Sequence, residues 1–474
     1  MRARHLAVLL TLASAASGQE PTSTGSGIRS LDATFAHLAR TDSPGCAVGV
    51  VQEGELTLAK GYGMASLETG LPITPSTVFY AGSVSKQFVA AAVLLASQEG
   101  ALDLDDPLSK WFPELPAYAE EIRVRDLIHH TSGVRDYLGL MALAGIDYET
   151  PMTPAQVLEL IARQRELNFA PGSQELYSNS AYFLMAQLVG RATDRTLREY
   201  AQERIFSPLG MRSSHFHDDR REIVARRAAA YRRAPERPQG FEVLWSPAFD
   251  QVGSGGLLTT IEDLARWEAA AQAESSPLGD DFWPAMLERG QLRDGKQLDY
   301  AFGIGHSKYR GAARVQHGGA MFGYRAHLVR YPELATSIAL LCNVNDASPG
   351  TLAERVADVV LEDDLGLRVK RSAAQAATPP LPEATTEADA LDRWVGRYWS
   401  PELAVTYAIE SDEDGLSLRV GSRPAQRLTA FVDGTFGLAE SPWVRATPQD
   451  EGRVESFTLD AGRVRNLAFS RVSE

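Results

Sequence analysis

The chain has 474 residues, with 47 basic and 61 acidic side chains, a formal charge of −14 and a hydrophobic content of 44%. That length suits roughly two to four domains with a full core. The acidic balance argues against a nucleic-acid binder, which needs a basic face to neutralise phosphates, and gives no support to an anionic-membrane binder. Two cysteines exclude a disulfide scaffold and a cysteine-rich zinc site.

Residues 1–18 have the pattern of a secretory signal peptide: Arg2, Arg4 and His5, then the apolar run Leu6 to Ala16, then small residues before Gln19. The apolar run is too short to span a bilayer, which takes about 20 residues. The mature protein is therefore expected to be soluble and exported, periplasmic or extracellular. Next come Cys46–Gln52 and Glu55–Gly61, two β-rich runs that flank Glu53-Gly54 and predict a hairpin. Phe79 to Glu99 carries the strongest helical pattern, closed by Gly100 as a C′ residue. A long helical and loop-rich stretch follows to about Lys296, with amphipathic helices at Ser180–Arg191 and Thr260–Ala271. Strands return at Arg314–His317, Arg325–Tyr331 and Ser337–Asn343, and Leu352–Leu361 reads as a closing helix. Cys46 and Cys342 fall in the apolar runs PGCAVGVV and SIALLCNV. Export permits a disulfide, but the expectation is two free, buried cysteines acting as small hydrophobes.

The order of these elements predicts one sheet made from both ends of an α/β domain, with a helical region inserted between. Residues 371–390 are rich in Ala, Pro and Thr without an apolar period and read as a linker. From Trp394 to Val472, short alternating runs are punctuated by Asp414-Gly415, Asp433-Gly434 and Ala461-Gly462. They predict a second, small all-β barrel.

Three local patterns can carry chemistry. The sharpest is Ser83-Val84-Ser85-Lys86, in a chain with six lysines against 41 arginines. A chance Ser-x-x-Lys is still expected about 0.4 times here, so the setting matters more than the match. Helical spacing puts Lys86 on the same face as Ser83, one turn on. The apolar QFVAAAVLLA that follows would desolvate the amine, lower its pKa and make it a base near neutral pH. The second is Tyr177-Ser178-Asn179 before a helix: a phenol can relay a proton, and an amide can both donate to a carbonyl and accept from a lysine. The third is His317-Gly318-Gly319-Ala320 at a strand end, where paired glycines allow close backbone approach beside an imidazole. Taken singly, each has a plain structural reading: a helix cap with a surface lysine, a loop tyrosine with a capping Asn, a strand-end turn. Adjacent His129 and His130 point in different directions and make a poor metal site. Gly253-Ser254-Gly255-Gly256 lacks the Lys-Ser/Thr of a P-loop. There is no G-x-S-x-G elbow, no H-E-x-x-H and no Cys/His cluster.

In order and spacing, Ser83-x-x-Lys86, Tyr177-x-Asn179 and His317-Gly-Gly resemble the penicillin-recognising serine hydrolases: class C β-lactamases, D-alanyl-D-alanine carboxypeptidases, D-aminopeptidases and related esterases. The resemblance extends to LIHHTSG at 127–133, SGGLLTTIEDLARW at 254–267 and FGYRAHLVRYPE at 322–333, and covers roughly residues 28–365. It implies a β-lactamase-like domain over residues 19–370, with an antiparallel sheet, a helical subdomain and the site between them. The segment 391–474 resembles the small barrel of D-aminopeptidase-like members. Carried onto this chain, the family pattern implies Ser83 as acylated nucleophile and Lys86 and Tyr177 as shared acid and base. Asn179 would hold the lysine and the substrate amide, and the N–H groups of Ser83 and Ala320 would form an oxyanion hole. Gly318 and Gly319 would line the substrate. No cofactor is implied; the expected partner is a small molecule or peptide, with neither nucleic acid nor a membrane after signal cleavage. His317 stands where many members have the lysine of Lys-Thr-Gly, which weakens recognition of a substrate carboxylate. The expectation is an amide or ester hydrolase, D-aminopeptidase-like or an esterase, with a class C-like β-lactamase or a D-alanyl-D-alanine carboxypeptidase as the alternative within catalysis. A non-catalytic binding protein of the same fold is the alternative outside it.

Overall fold

The computed structural model describes residues 31–244, 250–366, 384–385, 388–413, 415–438, 441–450 and 452–472. The predicted signal peptide lies outside them, as does most of the predicted linker. Part of that segment is described: Ala384 bridges to Phe431 of the barrel, and Ala388–Asp392 is a short helix.

Six antiparallel strands form the main sheet: β1 (Cys46–Gln52), β2 (Glu55–Tyr62), β3 (Gly305–Tyr309), β4 (Ala312–Met321), β5 (Tyr324–Tyr331) and β6 (Thr336–Cys342), in the order β3-β4-β5-β6-β1-β2. Glu53 and Gly54 both have positive φ, 50° and 80°, the two-residue turn whose twist suits a hairpin. The interior strand β1 buries both its faces by alternation. Ala47 joins the core under the helical region; Cys46, Val48 and Val50 join a second core with Leu31, Phe35, Leu352 and Val356. Helix α1 (Ser85–Gln98), helix α2 (Asn179–Thr193) and helix α3 (Ile261–Gln272) belong to the first layer, and α4 (Pro349–Val360) covers the other face. A buried Arg330–Glu268 pair, shared with Ser337 Oγ, ties α3 to the sheet.

Three expectations are corrected here. Phe79–Tyr80 is not the start of the long helix; it is a short strand paired with Leu258 and Thr259. Gly82, at φ 54°, turns the chain, and a 3₁₀ turn at Gly82–Val84 leads into α1. The strand carrying His317 does not end there but runs through Gly318-Gly319 to Met321. A Cβ at Gly319 would sit 2.0 Å from Ala81 O, so the glycine marks close packing of strand on turn. Cys46 and Cys342, expected free, form a disulfide. They lie directly opposite each other on β1 and β6, a pairing fixed by strand register across a separation of 296 residues.

The C-terminal region is a closed barrel of eight antiparallel strands: Gly396–Ser400, Val405–Asp412, Gly415–Val420, Gln426–Ala430, Phe436–Leu438, Ser441–Pro448, Ser456–Ala461 and Val464–Arg471. Aromatic rings fill it, with Trp394, Tyr398, Phe436, Phe457 and Phe469 in mutual contact. The barrel docks on the helical region through Arg135, whose side chain is 0% exposed and pairs with Glu402 at 2.6 Å. Arg135 also donates to Gln164 Oε1 and to the carbonyls of Arg465 and Asn466. Removing one member of such a pair strands a buried charge and costs about 3–5 kcal/mol. Glu402→Ala is therefore expected to lower stability by about that much in urea unfolding followed by tryptophan fluorescence; a loss below about 1 kcal/mol would contradict this role.

Candidate active site

The turn Gly82–Val84 sets Ser83 at the floor of a cleft of about 560 Å³ between the β4 edge and the helical region. Lys86, one turn later and fully buried, points its Nζ back to within 3.1 Å of Ser83 Oγ. The same Nζ donates to Asn179 Oδ1 at 3.0 Å and to Ser254 O at 2.6 Å. Asn179 opens α2, which Ser178 caps by accepting from Ala181 N. The orientation of the Asn179 amide is fixed by Asp136, whose Oδ2 accepts from both Asn179 Nδ2 at 2.9 Å and Asn179 N at 2.7 Å. A carboxylate only accepts, so the amide oxygen must face the lysine. Tyr177, just before the cap, lines the same cleft as Ser83, and Lys86 Nζ lies 4.7 Å from its ring centre.

Burial sets the protonation states. It pushes the Lys86 ammonium well below the ordinary lysine range; Arg463 acts in the same sense, and only Asp136 opposes. A neutral amine has two N–H bonds, and the two carbonyl acceptors, Ser254 O and Asn179 Oδ1, take both. The lone pair is left facing the Ser83 hydroxyl. Burial raises Tyr177 above the ordinary phenol range, against the charge of Arg463, so it holds its proton at neutral pH.

His317 lines the cleft with Nδ1 2.6 Å from Gly318 O and Nε2 3.1 Å from Tyr300 Oη. The carbonyl requires a proton on Nδ1, which leaves Nε2 to accept from the phenol. Burial lowers its pKa to about 3. Strand β3 pairs with β4 only as far as Gln316, so His317–Met321 present a bare edge on that side. The Phe322-Gly323 turn, with φ of 46° and 85°, makes Met321 and Tyr324 its hydrogen-bonded pair. The next pair, Ala320 and Arg325, is then of the non-hydrogen-bonded kind, and the Ala320 N–H points off the bare edge. A Cβ on Gly82 would meet Ala320 N at 2.5 Å, and one on Gly319 would meet Ser83 N at 3.1 Å. The two N–H groups therefore sit side by side where the turn meets the strand. Ser83, Lys86, Tyr177, Asn179, His317 and Ala320 thus come together, with Gly318 and Gly319 on the wall of the cleft.

Three residues of the cluster were not singled out from the sequence. Asp136 had one legible mark, an acidic N-cap before YLGLMAL, where it accepts from Leu138 N and Gly139 N. Ser254 acts through its backbone carbonyl, which leaves no trace in a side-chain pattern. Arg463 comes from the turn between the last two barrel strands; its guanidinium lies 4.7 Å from the Tyr177 ring centre and 3.8 Å from Asp136 Oδ2.

Burial lowers seven of the described histidines: His215, His217 and His306 below their ordinary range, His130 well below it, His129 and His327 to about 4, and His317 to about 3. Between those values and about 6.5, the unfolded chain binds more protons than the folded one, so stability rises with pH there. The urea midpoint is expected to fall steadily as pH drops from 6.5 towards 4; a flat midpoint over that window would contradict the burial of these rings.

Residues 31–361 match the Beta-lactamase family model. The chain belongs to the beta-lactamase family and is a serine hydrolase of that family. It is 28% identical over 443 residues to a D-aminopeptidase of Gluconobacter oxydans, covering 92% of this chain and 78% of that one. It is also 32% identical over 299 residues to a D-aminopeptidase of Brucella anthropi, covering 62% and 55%. The fold is similar to an octameric penicillin-binding protein homologue from Pyrococcus abyssi (TM-score 0.62, 20% identity, covering 95% of this chain and 100% of that one). It is similar too to a D-amino acid amidase from Ochrobactrum anthropi complexed with L-phenylalanine amide (TM-score 0.60, 20% identity, covering 72% and 99%). Among the described residues no helix is long and apolar enough to cross a membrane.

Proposed function

We propose that the chain is an exported acyl-hydrolase that cleaves amide or ester bonds through an acyl-enzyme on Ser83, in the manner of a D-aminopeptidase-like peptidase or an esterase. The observation that carries this reading is the fully buried Lys86 Nζ, 3.1 Å from Ser83 Oγ and held on its other sides by two carbonyl oxygens, Asn179 Oδ1 and Ser254 O. Lys86 takes the Ser83 proton as Oγ bonds to the substrate carbonyl carbon. The oxyanion forms between Ser83 N and Ala320 N, where a single donor typically lowers the barrier by about 3–4 kcal/mol. Tyr177 gives its proton to the leaving nitrogen or oxygen as the acyl bond breaks, and recovers one through Lys86. Water then attacks the acyl-enzyme by the same route in reverse, releasing the acid and free Ser83. His317 is a neutral wall of the cleft and supplies no charge to a substrate carboxylate. The names of the relatives, D-aminopeptidases and a D-amino acid amidase, support the amide reading.

The test is a panel: a D-amino-acid p-nitroanilide, a p-nitrophenyl ester and a chromogenic cephalosporin, together with peptide mapping of a fluorophosphonate adduct. The expected result is turnover of the anilide or the ester and an adduct on the peptide bearing Ser83. Efficient turnover of the cephalosporin alone would make the protein a β-lactamase, and an adduct on another residue would remove Ser83 from its role.

A further inference from the structure

Away from the cleft, the fold gathers two histidines and a carboxylate that the hydrolase chemistry does not use. In sequence, His215-Phe216-His217 is only a pair of histidines two residues apart, with no recognised motif around it. His215–Phe216 is a short strand paired with Leu257 and Leu258, and residues two apart on extended backbone share a face. Phe216 is fully buried against Phe206, which turns both imidazoles to the opposite side. A turn in which Glu222 N donates to Asp219 O brings the Glu222 carboxylate back to them. His215 Nε2 and His217 Nδ1 each lie 3.6 Å from the same oxygen, Glu222 Oε2. That is too long for a hydrogen bond, and neither nitrogen has a hydrogen-bond partner among the described residues, although both are buried. The His217 side chain is only 6% exposed. Buried ring nitrogens are normally satisfied, so two unclaimed ones facing one carboxylate oxygen point to a ligand.

We propose that His215, His217 and Glu222 bind a divalent transition-metal ion of the zinc type. Their ligand atoms lie within 4.8 Å of one another. Ligands bonded to a tetrahedral zinc ion at about 2.0–2.1 Å stand about 3.3 Å apart, so small rotations of these side chains bring all three into range. Two imidazoles with one carboxylate suit zinc and its neighbours; magnesium and calcium take oxygen ligands. Arg198 supplies the outer shell. It donates to both Glu222 oxygens, at 2.7 and 2.8 Å, and to Asp218 Oδ1 at 3.0 Å. These bonds fix the carboxylate, as the outer partners of metal ligands do, and Oε2 keeps a second acceptor site for the ion. Glu222 and Asp218 together outweigh that one guanidinium. Arg227 Nη1 comes to 3.5 Å from His217 Nε2, the outer limit of a hydrogen bond. Binding through Nδ1 puts the ring proton on Nε2, so that weak contact is given up. None of the three ligands lines the catalytic cleft. The ion takes no part in acyl transfer; it staples the His215 strand to the Glu222 loop.

The test titrates Zn2+ into the full chain by calorimetry, without an affinity tag and after chelator treatment, beside urea unfolding in Zn2+, Mg2+ or Ca2+. The expected result is one equivalent of Zn2+ bound and a urea midpoint that rises with Zn2+ but not with Mg2+ or Ca2+, because an ion that binds the folded state alone stabilises it. His215→Asn and Glu222→Gln should each weaken binding by about a hundredfold or more, at least the largest loss seen for an outer partner. His37→Ala, which removes an exposed histidine elsewhere, should leave binding unchanged. X-ray absorption of the zinc-loaded wild type needs no variant to fold, and should show two imidazole nitrogens in a shell at about 2.0–2.1 Å. No binding, unchanged affinity in either His215→Asn or Glu222→Gln, loss of binding in His37→Ala, or a zinc shell without imidazole would each overturn the proposal. None of these outcomes bears on Ser83, so the hydrolase reading is tested separately.

Discussion

Ser83→Ala is expected to lose acylation altogether: no fluorophosphonate adduct in the intact mass, and turnover of the best substrate down by at least about four orders of magnitude. Loss of a nucleophile that acts as one unit with its base removes nearly all the covalent chemistry, leaving what binding and the two N–H donors can do alone. The substitution touches little else. Ser83 lies in a 3₁₀ turn whose backbone is held by Gly82 against Ala320, and the neighbouring Ser85 Oγ, not Ser83 Oγ, ties the turn to the fold by donating to Gly82 O and accepting from Leu257 N. The variant should unfold at the wild-type urea concentration. Labelling at the wild-type rate would take the nucleophile's role away from this hydroxyl.

Lys86→Arg should be nearly as damaging, for a different reason. A guanidinium stays protonated at any accessible pH and cannot accept the Ser83 proton. It is also longer and planar, and it would have to fit where Nζ meets Ser83 Oγ, Asn179 Oδ1 and Ser254 O within 2.6–3.1 Å. Acylation is expected to fall by about three orders of magnitude or more, in line with the loss of a general base. The pH profile gives a second reading. Wild-type kcat/KM should rise with pH through a limb set by the depressed lysine and then level, because burial favours the neutral amine. In Lys86→Arg that limb should vanish. Near-normal rates, or the same limb in the variant, would contradict the base assignment.

Much of the site could be read from the sequence because its chemistry sits in short local words. Ser83 and Lys86 share a helical face, and Tyr177 and Asn179 flank a helix cap, so spacing alone put each pair together. Convergence of the three words could not be read from periodicity; it depends on β4 lying against the Gly82 turn, which the glycines hinted at without specifying a partner. Asp136 orients Asn179 from a different loop, and its contribution exists only once the chain is folded. Arg463 is one arginine among 41 and comes from the barrel, so no local signal distinguishes it. The fold was read in the same uneven way. Strands and helices with a clear period appear within a few residues of their predicted ends. Phe79–Tyr80 was absorbed into the helix beside it because an apolar pair has no period of its own. The strand was cut short at Gly318-Gly319 because glycine pairs normally mark turns. The cysteines were taken as unlinked because strand register, which sets them face to face, is a tertiary property.

Arg135 and Asp136 are consecutive, and each holds a different half of the protein. One grips Glu402 and the barrel; the other steers Asn179 and, through it, the amine beside the nucleophile. A side-chain couple this short gives the two halves a common hinge pin. Excising the barrel would bare a guanidinium whose acid partner, Glu402, leaves with it, and would loosen the very backbone on which the proton acceptor depends. The catalytic half is thus no free-standing module, and a shortened chain should be inert even with every reacting group still in place.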